Sequence, residues 1–128
     1  MGADLRMFLL TADNLVHCHW DGRSNQVEVL GQVLEGEVLR EVTRDAADPN
    51  RLYAATGTEI HVRDDGGESW KWVPSGGLDY RDIWTMQAHP TRPGEVYVGT
   101  LPAAVYVSDD GARSFREISA FRKLEDYA

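Results

Sequence analysis

One phrase occurs twice in this chain. Residues 62–70 read Val-Arg-Asp-Asp-Gly-Gly-Glu-Ser-Trp, and residues 107–115 read Val-Ser-Asp-Asp-Gly-Ala-Arg-Ser-Phe. Asp110 follows Asp65 by 45 residues, and the residues leading into each phrase also match. Ile60 and Val62 stand against Val105 and Val107, and Leu52-Tyr53-Ala54-Ala55-Thr56 stands against Val96-Tyr97-Val98-Gly99-Thr100. Further back, Asp48-Pro49 stands against His89-Pro90 and Val42 against Ile83. The offset drifts from 41 to 45 residues, and the drift falls in turns with Pro and Gly, where strand repeats tolerate changes of length. A repeat of this period implies units that each bury a face against the next.

An eroded copy precedes these two. Val16-His17-Cys18-His19-Trp20-Asp21-Gly22 aligns with residues 60–66, and Met7-Phe8-Leu9-Leu10-Thr11 stands where residues 52–56 stand. The Asp-Gly pair survives, but Gln26 occupies the place of Trp70. Each full copy holds four short strand candidates: residues 39–44, 51–56, 59–63 and 70–73, then 82–87, 95–100, 104–108 and 115–118. They are rich in Val, Ile, Tyr, Trp and Thr and bounded by Gly, Pro, Asp or Asn. A helical period is absent outside a weak pattern in the tail at 120–128.

Runs such as Val96-Tyr97-Val98 are apolar on both faces, so sheets must stack on both sides of them. Four-stranded antiparallel sheets stacked about an axis are the blades of a β-propeller, with repeats of about 40–45 residues. The expected fold is therefore all-β: a partial propeller of about three blades within a single domain over 1–128. The blade units are placed at about 6–31, 38–74 and 80–119, with 120–128 as a C-terminal tail.

The repeated phrase resembles the Asp-box, Ser-x-Asp-x-Gly-x-Thr-Trp. Residues 108–115 supply Ser108, Asp110, Ser114 and Phe115, with Ala112 in place of the usual Gly. Residues 63–70 supply Asp65, Gly67, Ser69 and Trp70, with Arg63 in place of the usual Ser. The chain thus looks like a member of the BNR/Asp-box propellers, a group that takes in sialidases, sortilin-type receptors and photosystem assembly factors. The resemblance runs from about Phe8 to Ile118 and implies a structural role for these eight residues. A short carboxylate in such a turn accepts hydrogen bonds from the backbone N–H groups of that turn. The trailing aromatic buries a ring beneath it.

Two complete copies and a first copy without its innermost strand fall short of a ring, since propellers close with about 4–8 blades. An open edge and open sheet faces are association surfaces. Either the chain is an N-terminal part of a longer propeller, or copies assemble about an axis. The expectation is a homo-oligomer, a dimer giving about six blades.

Ligands of propellers meet the face opposite the Asp-box turns or the central channel. The candidate ligand-face residues are Arg44, Asp79, Tyr80, Arg81, Asp82 and Trp84, with Asp45 and Gln87 on the innermost strands. Two aromatics, a guanidinium and carboxylates at a blade junction suit a protein or glycan ligand. The sialidase resemblance would require an arginine triad and a Tyr/Glu pair. Arg44 and Arg81 stand for two of the arginines, and no pattern supplies the rest. The expected role is therefore a non-catalytic scaffold or binding module, with a sialidase-type glycosidase fragment as the alternative. No catalytic residue and no cofactor are assigned. His17 and His19 share a face of a strand, but no further residues at ligand spacing follow, so no metal is assigned.

The chain carries 21 acids against 13 bases, a formal charge of −8, which disfavours nucleic acid as a partner. No run approaches the roughly 20 apolar residues of a membrane helix, and Met7-Phe8-Leu9-Leu10 ends at Asp13 and Asn14, too short for a signal core. With Cys18 as the single cysteine, no internal disulfide forms, and the expected compartment is the cytoplasm.

Overall fold

A computed structural model describes residues 4–11, 15–33, 38–64, 70–73, 76–78 and 82–121. The described residues form eleven β-strands in three antiparallel sheets, with no α-helix among them. The chain divides into two compact units, Met1–Leu39 and Arg40–Ala128.

The first unit holds one three-stranded sheet: β1 (Asp4–Leu10), β2 (Leu15–Asp21) and β3 (Gln26–Val33), in that order. Its strands correspond to the second, third and fourth of a full copy, so the innermost strand is the one missing among the described residues. Its turn is capped by Asp21, which accepts from the Arg23 N–H at 2.9 Å and the Ser24 hydroxyl at 3.1 Å. Asn25 takes a left-handed φ of 56° there, a conformation Asn tolerates better than most residues. The two strand histidines have local partners. His17 stacks on Phe8 with ring centroids 4.5 Å apart, and His19 Nε2 lies 2.8 Å from Asp4 Oδ1.

The second unit holds two four-stranded sheets. One runs β4 (Glu41–Arg44), β5 (Leu52–Ala55), β6 (Ile60–Arg63), β7 (Lys71–Val73). The other contains β8 (Asp82–Ala88), β9 (Val96–Leu101), β10 (Ala104–Ser108) and β11 (Arg116–Glu117) in the order β11-β10-β9-β8. Both follow the order of the sequence, as simple meanders do. Period-two patterning explains how they pack. Tyr53, Ala55, Ile60 and Val62 point from the first of these sheets into one buried cluster with Ile83, Met86, Val96, Val98 and Tyr106 of the second. Leu78 and Phe115 close that cluster from the connecting chain and the Asp-box turn.

The innermost strands β4 and β8 are also cross-linked by polar groups. Thr43 Oγ1 accepts from the Ala88 N–H at 3.0 Å, and the Thr85 hydroxyl donates to Glu41 Oε1 at 3.2 Å. Beyond the strand ends, buried Asp45 accepts from the Tyr53 hydroxyl at 2.7 Å, the Gly94 N–H at 2.9 Å and the Ala47 N–H at 3.0 Å. One carboxylate therefore joins the two sheets. Asp45 lies 5% exposed, turned into the fold.

Candidate functional site

Two ends of the strands have to be distinguished. The β4–β5 and β8–β9 loops lie at the same end as the Asp110 turn, as the Gly111 N–H to Gly94 carbonyl hydrogen bond of 3.0 Å and the Gly94 N–H to Asp45 bond of 2.9 Å show. The β5–β6 and β9–β10 turns lie at the other end.

At the Asp-box end, Asp110 Oδ1 accepts from the Ser108 hydroxyl at 2.7 Å and from the backbone N–H groups of Arg113 and Ser114 at 3.0 and 2.9 Å. Its Oδ2 accepts from the Ser114 hydroxyl. Ser108 Oγ in turn accepts from the Ala112 N–H at 3.0 Å. Every acceptor position of the motif is thus turned onto its own loop, and Phe115 is buried below it. Ala112, where the motif has Gly, sits at φ 71°, which explains the usual glycine there. In the other copy, Trp70 is partly buried before β7, while Asp65, Gly67 and Ser69 lie outside the described residues.

At the opposite end, the sequence places Asp79, Tyr80, Arg81, Asp82 and Trp84. Asp79, Tyr80 and Arg81 lie outside the described residues. Asp82 opens β8. Trp84 sits in a β-bulge: Ile83 pairs with Thr100 and Thr85 with Gly99, leaving Trp84 unmatched. The bulge is decisive for exposure. Strict alternation would put Ile83 and Met86 on opposite faces, yet they are 0% and 1% exposed in the same core. The extra residue absorbs the mismatch and leaves Trp84 55% exposed. Gly99 accommodates this arrangement, because a Cβ there would lie 2.7 Å from Thr85 Cγ2.

Arg40 completes the cluster. Its guanidinium carbon lies 4.5 Å from the centre of the Trp84 ring, Nη1 donates to the Ile83 carbonyl at 2.8 Å, and Nη1 lies 3.2 Å from Asp82 Oδ2. The Ile83 N–H donates to the Gly57 carbonyl at 2.7 Å. Gly57 is close-packed here, since a Cβ on it would stand 2.7 Å from Asp82 Oδ1. The result is an indole held rigidly on one face by a cation, a contact of about 0.5–1 kcal/mol at exposed sites. Asp82 is left partly exposed at its rim.

Sequence reasoning missed Arg40. The alignment that sets Val42 against Ile83 carried the signal, because it also sets Arg40 against Arg81. Arg44 does not join the cluster. It lies at the far end of β4, roughly 13 Å from Arg40 by strand rise, and donates from Nη1 to the Pro49 carbonyl at 2.7 Å. Gln87 is also diverted, donating to Thr43 Oγ1 and to the Ala88 carbonyl.

Asp82 and Glu41, carboxylates beside the platform, are engaged with Arg40 and Thr85. Among the described residues no group of three or more His, Cys, Asp or Glu is placed to hold a metal ion, and no helix is long and apolar enough to cross a membrane. The arrangement suits stacking and hydrogen bonding to a bound surface.

No protein-family model matches the chain. The chain is 29% identical over 93 residues to an oligoxyloglucan-reducing end-specific xyloglucanase of Emericella nidulans, a match covering 62% of this chain and 12% of that protein. It is 25% identical over 83 residues to a vacuolar protein sorting/targeting protein 10 of Ajellomyces capsulatus, covering 65% of this chain and 6% of that one. Two solved structures share its architecture. YCF48 bound to D1 peptide superposes with a TM-score of 0.56 at 15% identity, over 91% of this chain and 40% of that one. YCF48 from Cyanidioschyzon merolae gives 0.56 at 14%, over 96% and 41%. The chain therefore spans about two-fifths of the solved structures and an eighth or less of the curated relatives. These likenesses show the fold: the sheets are β-propeller blades, about three in number, a partial propeller.

Proposed function

We propose that this chain, a partial β-propeller, is a non-catalytic recognition module that binds a peptide or glycan on the Trp84 platform. The observation that carries this reading is the bulged, half-exposed Trp84 braced by Arg40 beside Asp82. A pre-ordered aromatic surface binds at little cost in side-chain entropy, and a flanking carboxylate and guanidinium select polar partners. One structural neighbour, YCF48, was solved bound to D1 peptide, which supports a peptide ligand. The xyloglucanase relative supports a glycan and keeps a glycosidase-type activity as the second reading.

Screening peptide and glycan arrays tests this. Hits are expected to lose about tenfold or more in affinity on Trp84→Ala, the loss typical of a buried aromatic anchor, and less on Arg40→Ala. Hits that survive Trp84→Ala unchanged would remove the platform from the mechanism. Turnover of a chromogenic xyloglucan oligosaccharide, lost in Asp82→Asn, would replace the binding reading with the enzymatic one.

The same proposal includes association. Along its unpaired side β1 offers a seven-residue strand edge among the described residues, and such edges recruit further strands. Two copies would supply about six blades, within the range that closes a propeller. Light scattering is expected to report a mass about twice the 14.3 kDa chain; a single-chain mass at micromolar concentration would refute the dimer.

A further inference from the structure

We infer that the Asp-box end of the second unit carries a separate site for a small organic anion with a flat body. A cleft of about 420 Å³ opens there between β7 and the Asp110 turn, at the strand ends opposite Trp84. Its described wall includes Arg51, Lys71 and Arg113 with the carboxylate of Asp64, together with Trp72 and Val73. Among those described lining residues three cations stand with one carboxylate, in a chain of formal charge −8.

The cations differ in how they are held. Arg51 is fixed in place: Nε lies 3.0 Å from Asp64 Oδ1, an ion contact rather than an aligned hydrogen bond, and its guanidinium carbon lies 5.6 Å from the Tyr53 ring centre. Gly111, at φ 74°, makes room for it, since a Cβ there would stand 2.5 Å from Arg51 Nη2. Lys71 and Arg113 have exposed side chains with no ion-pair partner among the described residues. Two exposed cations beside a positioned guanidinium favour a carboxylate or phosphate. Trp72, 57% exposed, adds an apolar surface that a bare inorganic ion would not use. The volume lies in the range of small-ligand pockets and fits a single-ring ligand.

The test uses benzoate, phenyl phosphate, inorganic phosphate and benzyl alcohol, titrated into the ¹⁵N-labelled full chain. Benzoate or phenyl phosphate is expected to shift the Trp72 indole and Gly111 amide resonances saturably and to leave the Trp84 indole unmoved. The aromatic anion that binds tighter identifies the head group. Lys71→Met with Arg113→Gln, both at exposed positions, is expected to weaken that binding at least tenfold while the remaining spectrum is preserved. Benzyl alcohol binding as tightly as benzoate would overturn the anion site. Inorganic phosphate matching phenyl phosphate would overturn the organic ligand. Shifts confined to Trp84 would place the ligand on the platform and refute this site without touching that one.

Discussion

Replacing Asp45 by alanine is expected to destabilise the protein by about 3–4 kcal/mol, with the melting temperature falling on the order of 10 °C. The carboxylate receives the Tyr53 hydroxyl and two backbone N–H groups, from Ala47 and Gly94. Tyr53 is fully buried, so its hydroxyl finds no water when the acceptor is removed. Each orphaned buried donor costs about 1–3 kcal/mol. Because Gly94 belongs to the neighbouring sheet, the damage spreads across the contact between two blades. Thermal melts of Asp45→Ala, Tyr53→Phe and the double variant measure this. Asp45→Ala and Tyr53→Phe are expected to be sub-additive, since both delete one shared bond. A melt of Asp45→Ala within 2 °C of the parent would sink the assignment.

The same group makes stability fall in acid. Burial raises the Asp45 pKa, but hydrogen bonds from the Ala47 N–H, the Tyr53 hydroxyl and the Gly94 N–H outweigh it and hold the carboxyl below its ordinary 3.8. Asp110 behaves alike: burial works upward, and the Ser114 and Ser108 hydroxyls with the Ser114 and Arg113 N–H groups bring it below 3.8. A folded pKa below the unfolded one gives stability that is complete above the unfolded value and lost as pH falls through the folded one. Denaturant midpoints should therefore hold steady down to about pH 4 and drop below it. In Asp45→Ala the drop is shallower, with Asp110 still contributing.

Gly77→Ala is the second large effect, a loss of about 3 kcal/mol or more. Gly77 has a φ of 94°, where L side chains are strained, and an added Cβ would collide with the Phe115 carbonyl oxygen. That oxygen belongs to backbone which is itself pinned. Gly76 donates to the Arg113 carbonyl at 3.2 Å and accepts from the Phe115 N–H at 2.8 Å, forming a parallel bridge with Ser114. Relief of the collision therefore pulls the connecting chain off the Asp-box turn and loosens Leu78 and Phe115 in the core. Gly76→Ala is the control, because a Cβ there meets nothing within 4 Å. Urea unfolding should separate the two by at least about 2 kcal/mol; equal midpoints would show that the connection carries no strain.

The strands were readable from the sequence because their signal is local. Alternating Val, Ile and Tyr between Gly, Pro and Asp turns marks a strand wherever it packs, and a second copy in register confirms each boundary. The agreement of residues 104–108 with β10 and of 82–87 with β8 has that cause. The Asp110 turn is local in the same way, since its carboxylate accepts from groups within four residues of itself. The partners of Arg44 and Asp45 were not readable for the converse reason. Their place on or beside an innermost strand was visible, but the Pro49 carbonyl that Arg44 meets and the Gly94 N–H that Asp45 accepts depend on how the chain returns beyond β4 and on the packing of the next sheet.

By itself the sequence determined that the chain forms about three blade-like sheets, where the strands of the two full copies run, and the turns that Asp21 and Asp110 cap. Those properties follow from period-two burial and from hydrogen bonds closed over a few residues. Tertiary structure alone decided which distant side chains meet. The bulge that exposes Trp84 arises because Ile83 and Met86 must both reach one core, and Arg40 meets Trp84 only because two sheets pack their innermost strands together. Asp45 becomes a clasp because Tyr53 and Gly94 arrive from different sheets, and the cationic cleft exists only where β7 of one blade faces the Asp110 turn of the next. Each joins residues more than forty positions apart or balances packing on both faces of a strand, and neither is encoded in any local pattern.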